Sequence, residues 1–261
     1  MAENSKIEWT DHTVNLWWGC AKVHTGCKNC YAETLHKRFE GGLWGENTDR
    51  KAIKSAFRDL NKYQKQGDKE NRMIKVFIGS MMDIFESSKP LVGRESGFET
   101  TGGLRKELFS RISRGDYNKI AFLFLTKRPE NIKDMIPEKW VLSHPKNVWF
   151  GTSVSDQQTT GAIWELRSST VPSANRFLSI EPQVAHVQLP FTIGINWIIQ
   201  GGESGSNKRP FNTEWAESMH DQCKEARIPY FFKQIDKVQP IPEHLNIKEF
   251  PDFDRGECNS N

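Results

Sequence analysis

The sequence predicts an α/β fold, arranged as a full or partial (β/α) TIM-like barrel. Short apolar runs recur along the 261 residues, each bounded by turn residues. Both faces of these runs are apolar, as expected of parallel strands that are covered on both sides. Polar segments of helix-forming composition separate them, and this alternation is typical of α/β domains. The predicted strands span residues 75–83, 120–129, 147–155, 176–182, 196–205 and 229–234.

Polar side chains gather at the carboxyl ends of the predicted strands, such as Ser80 and Asp83 after the first run. A barrel collects those ends around one mouth, whereas an open doubly wound sheet uses only the ends near its switch point. A full or partial barrel is therefore favoured. Asn212 or Thr213 is placed to cap the last helix. The predicted helices span residues 104–113, 129–140, 157–169 and 212–227.

The sequence predicts one barrel-like domain over residues 1–261. Within it, residues 1–39 form a cysteine-rich segment. Residues 40–72 are polar and Gly-rich before they become helix-like, so they are interpreted as a loop and an exposed helix inserted after that segment. Residues 87–103 form a second long loop, and loops of that length are often lids or binding surfaces. Residues 238–261, with three prolines and several acids, are expected to form a surface tail.

Charge and hydropathy exclude some classes of protein. The chain has 36 basic and 33 acidic residues and a pI near 8.5, far from the balance of a strongly basic nucleic-acid-binding domain. No apolar run approaches the ~20 residues that span a bilayer. The first residues, MAENSKIEWTDHT, lack the apolar core of a secretory signal. We therefore expect a cytoplasmic protein.

Three of the five cysteines lie close together, with the spacing Cys-x6-Cys-x2-Cys at Cys20, Cys27 and Cys30. In a reducing cytosol such an uneven group indicates metal or cluster ligands rather than disulfides. Three thiolates on a cubane iron–sulfur cluster leave one iron without a protein ligand, so a small molecule can bind there. The third cysteine precedes a helix-forming run, 32–39, and a loop of this kind can mount a cofactor at a barrel mouth.

A structural zinc site is the alternative. Zinc could take the three cysteines together with His24, which lies between the first two, and this set has plausible tetrahedral spacing. His12 or His36 could also complete the site. This interpretation predicts a zinc-stabilised protein that binds nucleic acid or a protein partner without redox chemistry.

The chain contains a set of distinctive motifs: IEWTDHTVNLWWGCAKVHTGCKNCYAE, FLTKRPEN, VWFGTSVSD, FLSIEP, WIIQGGESG followed by RPF, and PYFFKQ. Together they resemble a known family, the phage- and prophage-associated Gp37/Gp68-like proteins with a three-Cys motif. The resemblance implies a fold like the radical S-adenosylmethionine (SAM) barrel and a 4Fe-4S cluster on the three cysteines. It further implies S-adenosylmethionine as cofactor, a 5′-deoxyadenosyl radical, a neighbouring-gene protein partner, and a bacterial or phage-infected host cell.

A glycine pair and a glutamate, Gly201, Gly202 and Glu203, follow a predicted strand. Glycines there would let the backbone approach a ligand closely. The motif is similar to the Gly-Gly-Glu of classical radical enzymes, which contacts the amino group of the methionine moiety. A plain turn is the alternative interpretation.

Charged residues at other strand ends are further candidates. Lys127 and Arg128 could pair with the carboxylate of the cofactor or with a substrate phosphate. A solvated basic pair at a helix start is the alternative. Glu181, just before a proline, could bind a ribose hydroxyl or a cationic substrate group. Weaker candidates of the same kind are Asp83, Ser153 and Gln200.

A second set of residues adds charge near the same predicted rim, namely Lys208, Arg209, Lys233 and Gln234. If they converge with Lys127, the mouth would suit a phosphorylated or nucleotidyl substrate. Rim charges that serve only solubility are the alternative. The sequence thus predicts a radical SAM-type enzyme that modifies a nucleotide or nucleic acid.

A third hypothesis is a hydrolase or nuclease built on Asp83, Glu181 and Glu203. These carboxylates share no recognisable metal-ligand spacing. This hypothesis ranks below the radical enzyme and the zinc-stabilised binding protein.

Overall fold

The computed structural model of the chain describes residues 5, 7–39, 41–92, 97–205 and 207–254. Its strands are β1 (His12–Val14), β2 (Trp17–Trp18), β3 (Arg50–Ala52), β4 (Ile74–Ile78), β5 (Leu91–Val92), β6 (Ile120–Thr126), β7 (Val148–Ser153), β8 (Asn175–Ile180), β9 (Trp197–Gly201) and β10 (Tyr230–Gln234). Its helices are α1 (Tyr31–Phe39), α2 (Ala56–Glu70), α3 (Thr101–Arg114), α4 (Ile132–Met135), α5 (Glu138–Leu142), α6 (Gly161–Ser168) and α7 (Thr213–Ala226). Single 3₁₀ turns cover Thr25–Cys27, Pro129–Asn131, Gln157–Thr160 and Glu243–Leu245.

Seven parallel strands form the central sheet, in the order β1-β4-β6-β7-β8-β9-β10. Spatial order follows chain order, as in a (β/α) barrel rather than a doubly wound sheet. The sheet curls into a half-barrel with β1 and β10 at its edges. The curl brings the ring of Trp9, just before β1, within 6.2 Å of the ring of Trp197 on β9. The predicted partial barrel is therefore confirmed as an α/β half-barrel.

Alternate residues of the strands face two different apolar clusters, because side chains alternate along a strand. The convex face packs under the helices, for example through Phe122, Phe124 and Ile198. The concave face forms a smaller, mostly aromatic cluster. Its members are Trp9, Phe77, Leu123, Trp149, Phe177, Trp197, Ile199 and Phe231.

A second, three-stranded sheet in the order β2-β3-β5 carries the start of the cysteine segment. β2 and β3 are antiparallel, whereas β3 and β5 are parallel. Strands of two or three residues are too short to show a hydrophobic periodicity in the sequence. Neither this sheet nor β1 was therefore predicted.

The six predicted strands are all present and begin within one residue of the predicted starts, but some end earlier, as β4 does at Ile78 instead of residue 83. The Asn212 side chain caps α7 by accepting a hydrogen bond from the Glu214 N–H, as expected of an N-cap. The predicted helix 129–140 is broken into a 3₁₀ turn and the two short helices α4 and α5, with Pro137 between them. Proline removes a backbone donor and stops the helix there.

The helix predicted within residues 40–72 is α2, but it is amphipathic rather than exposed on all sides. α2 buries Ala56, Leu60, Tyr63 and Gly67 against the sheet, and it belongs to the crossover from β1 to β4. These positions follow the i, i+4, i+7 spacing of an amphipathic helix, which the high polarity of the segment obscured. The predicted loop 87–103 contains β5 and the start of α3. Residues 40 and 93–96 of these two segments lie outside the described residues.

The predicted surface tail runs along the open edge of the half-barrel. The Ile247 carbonyl accepts from Phe232 N–H at 2.9 Å, and Glu249 N–H donates to the Tyr230 carbonyl at 2.9 Å. Lys248 Nζ reaches across to Glu8, before β1, at 2.7 Å. The tail therefore covers the β10 edge, which would otherwise expose unpaired backbone groups, and one side-chain ion pair links it to the segment before β1. Residues 255–261, including Cys258, lie outside the described residues.

Aromatic rings fill the amino ends of the strands, where the tail folds over them. We call this region the closed end, and it comprises Trp149, Trp197, Phe231, Phe250 and Phe253. Its ring centroids lie 4.9–6.3 Å apart, and Trp197 Nε1 donates to the Glu249 carbonyl at 3.0 Å. In the described part of the chain, no helix has the length and apolar character needed to cross a membrane.

Candidate functional site

A cavity of about 170 Å³ lies at the carboxyl ends of the strands, beneath residues 20–30, which we call the cysteine loop. The loop follows β1 and β2 and leads into α1, where the sequence predicted a cofactor-mounting loop. The barrel contributes the residues after β4, β6, β8 and β9. Those that line the cavity include Gly79, Ser80, Met81, Met82, Asp83, Lys127, Arg128, Glu181, Pro182, Gly202, Glu203 and Ser204.

All three predicted ligand cysteines line this cavity as free thiols: Cys20, Cys27 and Cys30. The fold therefore brings them to one place, although they come from a loop with little regular structure. Cys223, the other described cysteine, is buried under α7 in the convex core. It provides a natural comparison for the three cavity thiols.

Cys20 is held by the small sheet. Its carbonyl accepts from Gly45 N–H at 2.9 Å, and it forms an isolated bridge with Trp44. Burial, together with the nearby carboxylates Asp83 and Glu86, raises the pKa of the Cys20 thiol to about 12. The thiol is therefore protonated at neutral pH in the metal-free protein, and a bound metal would have to displace that proton.

A buried ion pair between Arg50 and Glu86, which the sequence did not predict, stabilises the segment beside Cys20. Arg50 and Glu86 are almost fully buried, and Nε and Nη2 of Arg50 donate to the two carboxylate oxygens at 2.9 Å each. Nη1 of Arg50 also donates to the Thr48 carbonyl at 2.7 Å, which orders the segment beside Cys20. The two charges are 36 residues apart in the sequence, so no local pattern could reveal the pair.

Arg128 ties the cysteine loop to the barrel instead of facing an open ligand site. Its Nη1 pairs with Asp83 at 2.9 Å, and its Nη2 donates to the carbonyl of Ala21 at 3.0 Å. Asp83 also accepts from Thr126 Oγ1 at 2.7 Å, so its carboxylate is fully used by protein donors. Asp83 and Arg128 are thus placed to support the loop next to Cys20.

The glycine pair and Glu203 have different roles. A Cβ on Gly202 would overlap the carbonyl oxygen of Ile235, so the glycine permits close backbone packing against the end of β10. Gly202 and Glu203 line the cavity, but Gly201 does not. Glu203 accepts hydrogen bonds from Arg209 and Asn29. Burial alone would raise the pKa of Glu203, but these hydrogen bonds outweigh it and lower that pKa, which keeps the side chain ionised.

The expected basic rim is largely neutralised by carboxylates. Glu181 pairs with Lys233, and both line the cavity. Lys208 pairs with Asp236 at 3.1 Å. Arg128 and Arg209 are also paired, as described above. Most of the cations predicted to bind phosphate therefore form ion pairs with carboxylates from other parts of the sequence. The spacing of residues in the sequence could not show these pairs.

Lys127 differs from the other rim cations. Its Nζ donates to Ser153 Oγ at 3.0 Å, and within the described ranges no carboxylate forms an ion pair with it. Lys127 lines the cavity, whereas Ser153 lies behind it at the end of β7. Lys127 is thus a cation with the capacity to bind one anionic group.

Two other candidates serve packing. Gln200 is buried on the convex side, where it donates to the Trp215 carbonyl at 3.0 Å and accepts from Tyr230 Oη. Gln234 donates to the Gly202 carbonyl at 3.0 Å. Neither side chain lines the cavity.

His24 is engaged as the cap of the 3₁₀ turn that carries Cys27. Its Nδ1 accepts from Gly26 N–H at 3.0 Å. Burial, reinforced by the positive charge of Lys127, lowers the pKa of His24 to about 4, so the ring is neutral at physiological pH. A neutral ring whose Nδ1 accepts carries its proton on Nε2, and neither nitrogen then has a free lone pair for zinc.

The other two histidines considered for zinc are engaged elsewhere. His12 stacks on Tyr63 at 3.8 Å and bonds Gln66 under α2. Nε2 of His36 accepts from Leu43 N–H at 3.2 Å. Over the residues that the structure describes, no group of three or more His, Cys, Asp or Glu side chains is placed to hold a metal ion.

Much of the remaining cavity lining is apolar or aromatic, and includes Trp9, Trp44, Phe77, Met82 and Leu125. Such a lining suits an organic cofactor or substrate. Fold and site together define an α/β half-barrel protein whose mouth holds a cavity lined by three thiols.

The chain belongs to the family described as "Protein of unknown function (DUF5131)", which its sequence matches over residues 4–248. The match includes the cysteine loop, every strand of the half-barrel and the start of the tail. No curated protein and no solved structure matches the chain.

Proposed function

We propose that this chain is a radical S-adenosylmethionine-type iron–sulfur enzyme on a radical-SAM-like half-barrel. Cys20, Cys27 and Cys30 would hold the cluster. The observation that carries the proposal is the convergence of three free thiols from one loop on a single cavity at the mouth of a parallel half-barrel. Active sites of (β/α) barrels lie at this end of the strands.

The donors fit a cluster with one open iron better than a closed zinc site. A structural zinc site needs a fourth ligand, and His24 uses its Nδ1 to accept from Gly26 N–H at 3.0 Å. A cluster needs only the three thiolates, each on a different iron. When bound, a cluster with one open iron supplies a site for S-adenosylmethionine and the electron that cleaves it.

The chain's own residues have separable tasks in this proposal. Asp83 and Arg128 hold the backbone beside Cys20. Lys127 is available to bind a carboxylate or a single phosphate group. The aromatic lining, with Trp9 and Phe77 packed at 4.8 Å, offers an apolar surface to an organic ligand.

The nucleotide or nucleic-acid substrate expected from the sequence has less support than the reaction type. A polyanionic strand needs several free cations along its path. The rim cations are paired with carboxylates, and Lys127 is the exception in the described segments. The site therefore favours a substrate with at most one anionic group at the cavity.

Anaerobic reconstitution with iron and sulfide tests the proposal. We expect about four irons per chain, and 5′-deoxyadenosine after reduction with S-adenosylmethionine. Cys20→Ser, Cys27→Ser and Cys30→Ser should each lose both signals. Cys223→Ser is the matched control, because this cysteine is buried away from the cavity and should leave both signals unchanged.

Two results would contradict the proposal. One is a wild-type protein that takes up no iron and sulfide under these conditions. The other is one tightly held zinc per chain that is lost in His24→Ala, which would favour the zinc-stabilised binding protein instead.

A further inference from the structure

We propose that Glu203 and Arg209 form a clamp that positions the half of the cysteine loop carrying Cys27 and Cys30. In this role Glu203 is a positioning residue and does not contact the cofactor. The inference deepens the proposed function, and the part that concerns a bound cluster rests on it. The part that concerns the positions of the thiols holds for the metal-free chain.

Both oxygens of the Glu203 carboxylate are used by protein donors. Oε1 accepts from Nη2 of Arg209, and Oε2 accepts from the Arg209 N–H at 2.8 Å and from Asn29 Nδ2 at 3.1 Å. The side chain of Glu203 is 3% exposed. A cofactor amino group would have to displace one of these charge-assisted bonds, which are among the stronger hydrogen bonds in proteins.

The clamp grips the loop on both sides of Cys27. Nη2 of Arg209 donates to the carbonyl of Thr25 at 3.3 Å. Asn29, which bonds Glu203, lies between Cys27 and Cys30 and also donates to the Asn207 carbonyl at 2.8 Å. The segment after β9 therefore holds the loop at Thr25 and at Asn29, on either side of Cys27.

The loop needs such ties because it has little structure of its own. Its 3₁₀ turn is a single turn, closed by Cys27 N–H to His24 and Lys28 N–H to Thr25 at 2.9 and 3.1 Å. Isolated turns of this kind are marginal in water. Two other bonds tie this half to the barrel, from Thr25 Oγ1 to Asp156 at 2.7 Å and from Tyr31 Oη to the Ser80 carbonyl at 2.9 Å. The clamp adds the bonds on either side of Cys27 and so helps to set where the Cys27 and Cys30 thiols lie.

Cys20 depends on a different set of contacts. Its backbone is fixed by Gly45 and by Arg128 through the adjacent Ala21 carbonyl. Loss of the clamp should therefore release Cys27 and Cys30 while Cys20 stays in place. A loss of global stability would instead expose all three thiols and Cys223 together.

Alkylation of individual cysteines in the metal-free protein tests the clamp. The rate of iodoacetamide modification at each cysteine is measured by mass spectrometry for Glu203→Gln and Arg209→Ala. We expect a rise of about tenfold at Cys27 and Cys30 in both variants, as for loss of a charge-assisted hydrogen bond, and little change at Cys20. Thermal unfolding is recorded alongside to confirm that each variant is folded.

The two variants separate positioning from electrostatics. Glu203→Gln removes a negative charge and Arg209→Ala removes a positive one, so purely electrostatic effects on the thiols would have opposite signs. A rise in both variants supports the clamp. Opposite changes, or equal rises at Cys20, Cys223, Cys27 and Cys30 alike, would overturn it.

Conservative and matched variants complete the test. Arg209→Lys should restore part of the protection that Arg209→Ala loses, and the double variant should be no more reactive than either single one. Glu181→Gln is the matched control, because Glu181 is an ion-paired carboxylate at the same cavity and, in the described part of the chain, pairs with Lys233 rather than with the cysteine loop. Its alkylation pattern should equal that of the wild type.

A spectroscopic arm separates failure of the clamp from failure of the proposed function. If the wild type binds a cluster, Glu203→Gln should change its electron paramagnetic resonance spectrum and lower its iron content. A normal cluster and normal thiol rates in Glu203→Gln, with weaker binding of S-adenosylmethionine, would overturn the clamp and retain the function. If the wild type binds no cluster, the proposed function fails, and the alkylation rates still decide the clamp.

Discussion

The two ends of the half-barrel are held together by different forces. At the mouth, ion pairs and hydrogen bonds connect the cysteine loop to the strand ends, as with Arg128 and Arg209. At the closed end, aromatic rings pack on one another beneath the tail. Apolar burial contributes more stability than partly exposed polar bonds, whereas directional bonds fix position. The comparison predicts that stability depends mainly on one end and placement of the thiols on the other.

Replacement of Trp197 at the closed end should have the largest effect on stability. The ring is fully buried against Trp9, Phe177 and Phe231. Trp197→Ala should lower the free energy of unfolding by about 3–5 kcal/mol, as measured by urea titration. Under native conditions the alkylation rates of the cavity cysteines should stay near wild type.

Trp164→Ala is the matched control for that prediction. Trp164 is 60% exposed on α6, so its loss should change the free energy of unfolding by about 0.5 kcal/mol or less. Equal losses in the two variants would contradict the assignment of stability to the closed end.

The buried Arg50–Glu86 pair should be the exception at the mouth, because its charges are out of water. Glu86→Ala leaves the Arg50 guanidinium buried without its partner and should cost about 3 kcal/mol in the free energy of unfolding. It should also raise alkylation at Cys20, which lies beside the segment that Arg50 orders.

The control for this pair is the partly exposed ion pair of Arg111 with Glu107 on α3, whose side chains are 28% and 29% exposed. Glu107→Ala should cost about 0.5 kcal/mol, as is usual for surface pairs. If Glu86→Ala lowered the free energy of unfolding by no more than this in urea titration, the buried pair would not stabilise the mouth as its burial indicates.

Gly26 tests close packing between the cysteine loop and the barrel. A Cβ at this position would overlap Ser155 Oγ, so Gly26→Ala should cost about 1–3 kcal/mol and expose Cys27 to alkylation. Ser155→Ala alone should be nearly neutral, because no hydrogen-bond partner of its buried hydroxyl is found among the described residues. The double variant should recover part of the loss, because the added Cβ would still lie 2.8 Å from Cε1 of His24.

Gly161→Ala provides the comparison for Gly26. Gly161 begins α6 with open space around its Cα, so alanine should be neutral or slightly stabilising there. If the double variant Gly26→Ala/Ser155→Ala recovered no stability, the cysteine loop and the segment after β7 would not be in the predicted contact.

The smallest predicted effect is a pH dependence from His144, near the amino end of β7. Burial lowers the pKa of His144 to about 4, although its Nε2 donates to the Val148 carbonyl at 2.9 Å. The unfolded chain then binds more protons between about pH 6.5 and 4, so stability should fall as the pH drops through that window.

His144→Gln should remove this dependence. Between pH 7 and pH 4, the wild type should lose about 1 kcal/mol more of its unfolding free energy than the variant does. The effect is small because His144 is only partly buried. Parallel pH profiles for the two proteins would show that His144 does not contribute.

The sequence was most informative where the pattern was long and local. The six predicted strands and the helix capped by Asn212 begin close to their predicted starts. The burial of α2 could also have been predicted, since Leu60, Tyr63 and Gly67 follow helical spacing. Each of these features depends on residues within one turn or one strand of each other.

The candidate site was predictable only in part. The convergence of Cys20, Cys27 and Cys30 on the mouth followed from their position in the first connection of a predicted barrel. The sequence did not predict that Glu203 accepts hydrogen bonds from Arg209 and Asn29. It also did not predict the ion pair of Lys233 with Glu181. A charged side chain gives no sign in the sequence of whether its partner will be water, a ligand or another residue.

By itself, the sequence determined the alternation of strands and helices, the mouth as the site of the polar residues, and three cysteines in one loop. The tertiary structure decided which rim charges remain available, leaving Lys127 without a carboxylate partner in the described ranges. It also decided that His24 caps a turn. The physical reason is range: backbone periodicity acts over a few residues, whereas ion pairs and caps depend on distances that exist only after the sheet has curled.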